Sequence, residues 1–208
     1  MEQLMLFHGP DHIIEAPVFG AGNPHNDYGL GFYCTESLEL AKEWATSEET
    51  DGFANSYHMD PTGLKVLNLN DGSFTIFHWL AILLENRTFR LSGDIAPLAR
   101  EFILDRFLPD YESADVIRGY RADDSYFSFA NAFLNNGLSL PQLERAMALG
   151  NLGEQVVVRS PQAFERLRFQ EALPAERTVY FPRKMARDSQ ARAIFRQERT
   201  LADIASEV

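Results

Sequence analysis

A single cysteine, Cys34, stands in 208 residues, so no internal disulfide can form and nothing in the cysteine content points to an oxidising compartment. No apolar run approaches the ~20 residues that a membrane-spanning helix needs. The longest, Phe74 to Leu84, is interrupted by His78 and reads as a buried helix. The opening Met1-Glu2-Gln3 lacks the basic region that begins a secretory signal, and a cytoplasmic location is expected. Bases are scarce at one end: residues 1–60 hold Lys42 alone against eleven acids, while residues 61–208 hold 18 bases and 19 acids. The net charge of −11 is therefore an N-terminal property, and it argues against nonspecific gripping of a nucleic-acid duplex.

What is present is enough for a core. With 45% hydrophobic and 12% aromatic residues, the composition fits one domain over 1–208, with a core over about 4–182 and a helical tail over 183–208. Leu4 to His8 reads as a buried strand stopped by Gly9-Pro10, and Gly31 to Thr35 as a second strand. Thr35 or Ser37 then caps a helix on which Leu40, Ala41, Trp44 and Ala45 share a face. Further strands are predicted over 65–69, 115–119, 154–158 and 178–181, and helices over 74–86, 95–108, 125–133 and 160–167. Ser139 and Gln142 have capping-box spacing and open another helix, which Gly150 closes. Residues 16–30, 45–63 and 86–97 read as loops. Strands scattered irregularly among helices favour an α+β fold over a doubly wound sheet.

Several chemistries are weighed and set aside. His8 and His12 are four apart, but Gly9 and Pro10 preclude the helix that would aim both at one metal, so no metal site is expected. Cys34 follows Tyr33 on a strand and alternates to the opposite face. Gly20-Ala21-Gly22 lacks the Lys-Ser/Thr of a phosphate loop. Residues 159–199 carry ten bases against five acids, a spread that more often marks a solvated surface, with pyrophosphate contacts through Arg159 or Arg166 as the alternative.

Three pieces recur in one arrangement: Leu6-Phe7-His8-Gly9, Gly29-Leu30-Gly31-Phe32-Tyr33, and Glu154-Gln155-Val156-Val157-Val158. Their order resembles the ADP-ribosyltransferase superfamily, in the His-Tyr-Glu branch that includes the poly(ADP-ribose) polymerases and diphtheria toxin. With Asp27-Tyr28, Cys34-Thr35, Ala41, Trp44-Ala45 and Arg159-Ser160-Pro161-Gln162-Ala163-Phe164, the chain is similar, from residue 4 to about 170, to the bacterial ADP-ribosyltransferase-like family DUF3990.

The resemblance implies an α+β fold in which two small antiparallel sheets form a cleft for NAD, used as co-substrate. It implies that His8 bonds a ribose of NAD, that the Gly9 backbone clasps the nicotinamide carboxamide, and that Tyr33 stacks on nicotinamide with Trp44 on its other side. Ala41 stands where the polymerases carry a carboxamide-binding serine, a loss of about 0.5–1.5 kcal/mol. Glu154 matches the carboxylate that steadies the oxocarbenium-like transition state. Gln155 is the alternative, because neighbours on a strand face opposite ways and only one of the two can face the cleft.

The implied activity is transfer of ADP-ribose to a macromolecular acceptor, protein rather than nucleic acid, in the manner of a bacterial toxin neutralised by an antitoxin protein; polymer formation is not expected. NAD hydrolysis, or an inactive NAD-binding or protein-interaction module, are the alternatives. A tRNA 2′-phosphotransferase type of chemistry needs arginines around a phosphate, and the sequence displays no such cluster near His8 or Tyr33. Each residue also has a structural reading: a satisfied histidine, core aromatics, a solvated edge carboxylate. Asp123-Asp124 reads either as a helix cap or as part of the cleft lining.

Overall fold

The computed structural model describes residues 3–121, 124–149 and 153–205. Asp123 and Gly150 lie outside the described residues. The fold is α+β, with two small sheets and, among the described residues, seven helices. One sheet orders β1 (Leu4–His8), β3 (Gly52–Met59) and β7 (Leu167–Ala175), all antiparallel. The other orders β2 (Phe32–Cys34), β6 (Glu154–Val158), β5 (Val116–Tyr120) and β4 (Val66–Asn68).

The expectation of two purely antiparallel sheets is corrected at β4 and β5, which run parallel. Parallel neighbours need a long crossover. Here it is made by α2 (Ile76–Asn86) and α3 (Ile95–Phe107). The strand predicted over 178–181 is likewise corrected: those residues begin α7 (Arg177–Ala205). β3 replaces a predicted loop, and β7 forms where no strand is predicted.

Local signals explain the elements around the cleft. Ser37 has an extended backbone, and its hydroxyl accepts from the Leu40 N–H at 3.3 Å, which starts α1 (Leu38–Ala45). After α4 (Asp124–Leu134), the Gln142 side chain accepts from the Ser139 N–H at 2.7 Å and opens α5 (Leu140–Leu149). Ser160 caps α6 (Pro161–Phe164), where Pro161 occupies the first turn.

The sheets face each other across one core. Leu6, Tyr57, Met59 and Leu167 from the first sheet meet Cys34, Val116, Val156 and Val158 from the second. Behind the second sheet, Ile117 and Val157 pack under Trp79, Leu80 and Leu83 of α2. β6 is thus buried on both faces, which is why Val156-Val157-Val158 is uninterrupted, each residue contributing about 1.5–3 kcal/mol of burial. The sheets are laced where Phe7 and Thr35 exchange backbone hydrogen bonds of 2.8 and 2.9 Å. This bridge brings the exit of β1 beside β2. Among the described residues no helix is long and apolar enough to cross a membrane.

Candidate functional site

Where β1, β2 and β6 meet α1 and α7, a cleft of about 610 Å³ opens. His8 and Gly9 enter it from the end of β1, Tyr33 from β2, Glu43 and Trp44 from α1, Gln155 from β6, and Lys184, Arg187 and Arg192 from α7. Asp27, Arg87 and Arg121 complete the wall. His8, Asn26 and Tyr33 also border an adjoining apolar hollow of about 370 Å³ lined by Ile14, Val18, Phe19 and Phe164.

The His8 ring is oriented by the second motif strand. Its Nδ1 lies 2.7 Å from the Tyr33 carbonyl oxygen, which can only accept, so Nδ1 carries the proton. Burial lowers the pKa, outweighing that hydrogen bond, and His12 lowers it further. The ring is therefore neutral at pH 7, with Nε2 as an acceptor. Phe32 packs against the ring at 4.3 Å between centroids.

Tyr33 is fixed at both ends. Its hydroxyl donates to the Gly29 carbonyl at 2.6 Å and accepts from the Tyr28 N–H at 3.0 Å. Gly29 has φ +73°, a conformation that favours glycine, and this turns its carbonyl onto the ring hydroxyl. Tyr28 in turn donates to the Tyr120 carbonyl at 2.6 Å, which Trp79 Nε1 also reaches at 3.1 Å. The Asp27-Tyr28-Gly29 turn is thereby anchored to β5.

Gly9 has a steric reason as well as a position in the cleft. A Cβ there would stand 2.0 Å from the Ala41 carbonyl oxygen and 3.0 Å from the Ala45 nitrogen. Only glycine lets the chain leave β1 so close to α1. Ala41 itself is fully buried under Gly9 and does not line the cleft. At that position the structure shows a packing contact with Gly9.

Strand alternation separates the two candidates on β6. Gln155 lies on the Tyr33 and Val157 face and lines the cleft, with 6% of its surface exposed. Glu154 does not line it: the side chain is half exposed on the Cys34 and Val156 face, 3.9 Å from Arg118, which pairs with Glu36. The third motif strand thus presents a carboxamide to the cleft, and the carboxylates within it are Asp27, Glu43 and Asp188, none of them singled out from the sequence as site groups.

Two of those carboxylates are buried ion pairs. Glu43 binds Arg187 in a fork, 2.9 Å to Nε and 2.8 Å to Nη2, and joins α1 to α7. Asp27 binds Arg87 at 2.8 Å, at the end of α2. The Arg121 guanidinium lies over the Trp44 ring at 4.5 Å. Lys184 donates to the Thr46 carbonyl at 3.0 Å.

The sequence displayed no arginine cluster near His8 and Tyr33; the fold assembles one from Arg87, Arg121, Arg187 and Arg192. Arg159 and Arg166 are placed elsewhere. Arg159 reaches the Tyr111 carbonyl and stacks on that ring at 5.0 Å, and Arg166 lies near the Thr62 carbonyl. Among the described residues, two buried side-chain polar atoms have no partner, Trp44 Nε1 and Gln155 Oε1, and both belong to residues of this cleft.

Residues 4–169 match the family described as Protein of unknown function (DUF3990). The chain belongs to the DUF3990 family. No curated protein and no solved structure matches it. Within this DUF3990 chain the matched segment supplies His8, Tyr33, Trp44 and Gln155, while α7 begins at Arg177, beyond the segment's end. Among the described residues no cluster of three or more metal-ligating side chains is found.

Proposed function

We propose that the cleft binds NAD and that the protein is a mono-ADP-ribosyltransferase acting on a macromolecular acceptor. The observation that carries this reading is the pair of orphaned polar atoms. Trp44 Nε1–H is a buried donor and Gln155 Oε1 a buried acceptor, and leaving either unmatched costs about 1–3 kcal/mol. A ligand carrying both an acceptor and a donor relieves both. The nicotinamide carboxamide and the ribose hydroxyls have that character, and Tyr33 and Trp44 offer rings for the planar heterocycle.

NAD supplies the glycosidic bond between nicotinamide and ribose, whose cleavage releases nicotinamide with the bonding electrons and gives the ribose carbon to the acceptor's nucleophile, whose proton passes to solvent. The protein's own residues position and polarise. His8 presents Nε2 as an acceptor for a ribose hydroxyl, since Nδ1 is committed to Tyr33. Gln155 accepts a hydroxyl hydrogen but cannot take a proton, so it orients the sugar without activating water.

A second reading, an NAD-binding module without catalysis, is favoured by the same residue, because Gln155 brings no negative charge to a developing cation. Incubation with NAD labelled on its adenylate half separates the readings. Label on protein is the expected result; free labelled ADP-ribose indicates hydrolysis, and bound but unchanged NAD indicates the module. Growth arrest on expression in bacteria, relieved by Gln155→Ala, is the corresponding outcome for a toxin with an antitoxin partner.

A further inference from the structure

We propose that α7, which lies beyond the matched family segment, is a phosphate-binding wall of the cleft that takes the diphosphate of a small nucleotide. The inference rests on the reading of the cleft as a dinucleotide site and names the part of the ligand that α7 receives.

Charge is the first observation. On a chain of net charge −11, the described lining residues of this cleft include five cations and three carboxylates, a local excess of positive charge. Three of the five, Lys184, Arg187 and Arg192, come from α7. Low-dielectric walls focus such a field on a small anion, whereas the acidic residues 1–60 repel a long polyanion. The ligand class is therefore a nucleoside diphosphate or dinucleotide rather than a nucleic acid.

Placement is the second. A helix docked only for packing turns an apolar stripe inward. The inward positions of α7 instead include Lys184 and Arg187, which reach the Thr46 carbonyl and the Glu43 carboxylate. These contacts hold the cationic row in position before a ligand arrives, which lowers the ordering cost of binding. Across the cleft, Gln155 Oε1 and Trp44 Nε1 mark where the uncharged end of the same ligand makes its hydrogen bonds.

The test is calorimetric titration of the full chain with ADP, inorganic pyrophosphate, NAD and nicotinamide, for the native protein and for Lys184→Glu, Arg192→Glu and Arg106→Glu. Arg106 is an exposed residue of α3 outside the cleft and carries the same change of charge. Lys184→Gln and a melting curve for each variant separate lost binding from lost folding. The expected result is that ADP and pyrophosphate bind, that each α7 reversal weakens them at least about tenfold in a folded protein, and that Arg106→Glu does not. Equal weakening by Arg106→Glu, or no binding of ADP and pyrophosphate, overturns the wall. NAD binding that ignores the α7 reversals overturns the wall and leaves the NAD reading standing. Wall-dependent binding of ADP and pyrophosphate, with none of NAD, overturns the NAD reading and leaves the wall.

Discussion

His8 of one sheet donates from Nδ1 to the carbonyl oxygen of Tyr33 in the other, at 2.7 Å, so the first two motif strands orient each other. Burial holds the imidazole neutral by lowering its pKa. A depressed folded value means that the unfolded chain binds the proton more readily, so this contribution is complete above about pH 6.5 and is lost as pH falls through the folded value. Urea unfolding of the native protein and of His8→Asn, from about pH 7.5 down to about pH 5, checks it. The native protein is expected to lose more stability over that range than the variant; parallel curves would contradict it.

Glu43 is almost fully buried against Arg187, and each depends on the other for charge compensation. Arg187→Ala strands the carboxylate and is expected to cost about 3–5 kcal/mol. Glu43→Gln in the same chain recovers part of that loss. Thermal unfolding of the two single variants and the double variant measures the coupling, and purely additive losses would show that the pair does not act as a unit.

Gly9→Ala places a Cβ 2.0 Å from the Ala41 carbonyl oxygen, backbone against backbone. Neither element can yield cheaply, because β1 is paired with β3 and α1 is capped by Ser37. A loss of about 1–3 kcal/mol in chemical denaturation is expected, with weaker NAD binding because His8 adjoins the displaced residue. An unchanged midpoint would place the glycine's importance elsewhere.

These relationships were legible in the sequence to different depths. β1, β2, α1 and β6 carry local signals: the Gly9-Pro10 stop, the Ser37 cap and the Val156-Val157-Val158 run. β3 was hidden because, as the central strand of its sheet, it is largely buried yet includes Asn55 and Ser56, satisfied by His12, Ile14 and Glu171 far along the chain. β7 is an edge strand, tolerant of charge and of Pro174, so it lacked alternation. Thr178 to Phe181 has strand-like residues, yet Tyr180, Lys184 and Arg187 follow helical spacing toward Glu39, Thr46 and Glu43. The inward face of α7 was unreadable because much of it is written in charge, with partners about 140 residues away. His8, Gly9, Tyr33 and Trp44 could be named from motif order and spacing, whereas the same order put Glu154 first and Gln155 only as its alternative; Glu43, Arg87 and the α7 cations could not be named, since only the fold brings them to the cleft.

Cys34 is fully buried between the sheets, and burial pushes its thiol pKa up. The thiolate is the reactive form, so the native protein is expected to resist alkylation at neutral pH and to label fully once unfolded in guanidinium. Mass spectrometry after brief iodoacetamide treatment reads the difference. Rapid native labelling would mean that the core between the sheets opens readily.

Gln155, not its neighbour Glu154, is expected to meet NAD in the cleft. Calorimetric titration of NAD into the native chain, Gln155→Ala and Glu154→Ala addresses it directly, because the two positions are adjacent in sequence and opposite in direction. Binding lost or weakened at least about tenfold in Gln155→Ala and retained in Glu154→Ala is the predicted result. Binding lost in Glu154→Ala and retained in Gln155→Ala, or no binding of NAD to the native chain, would contradict it.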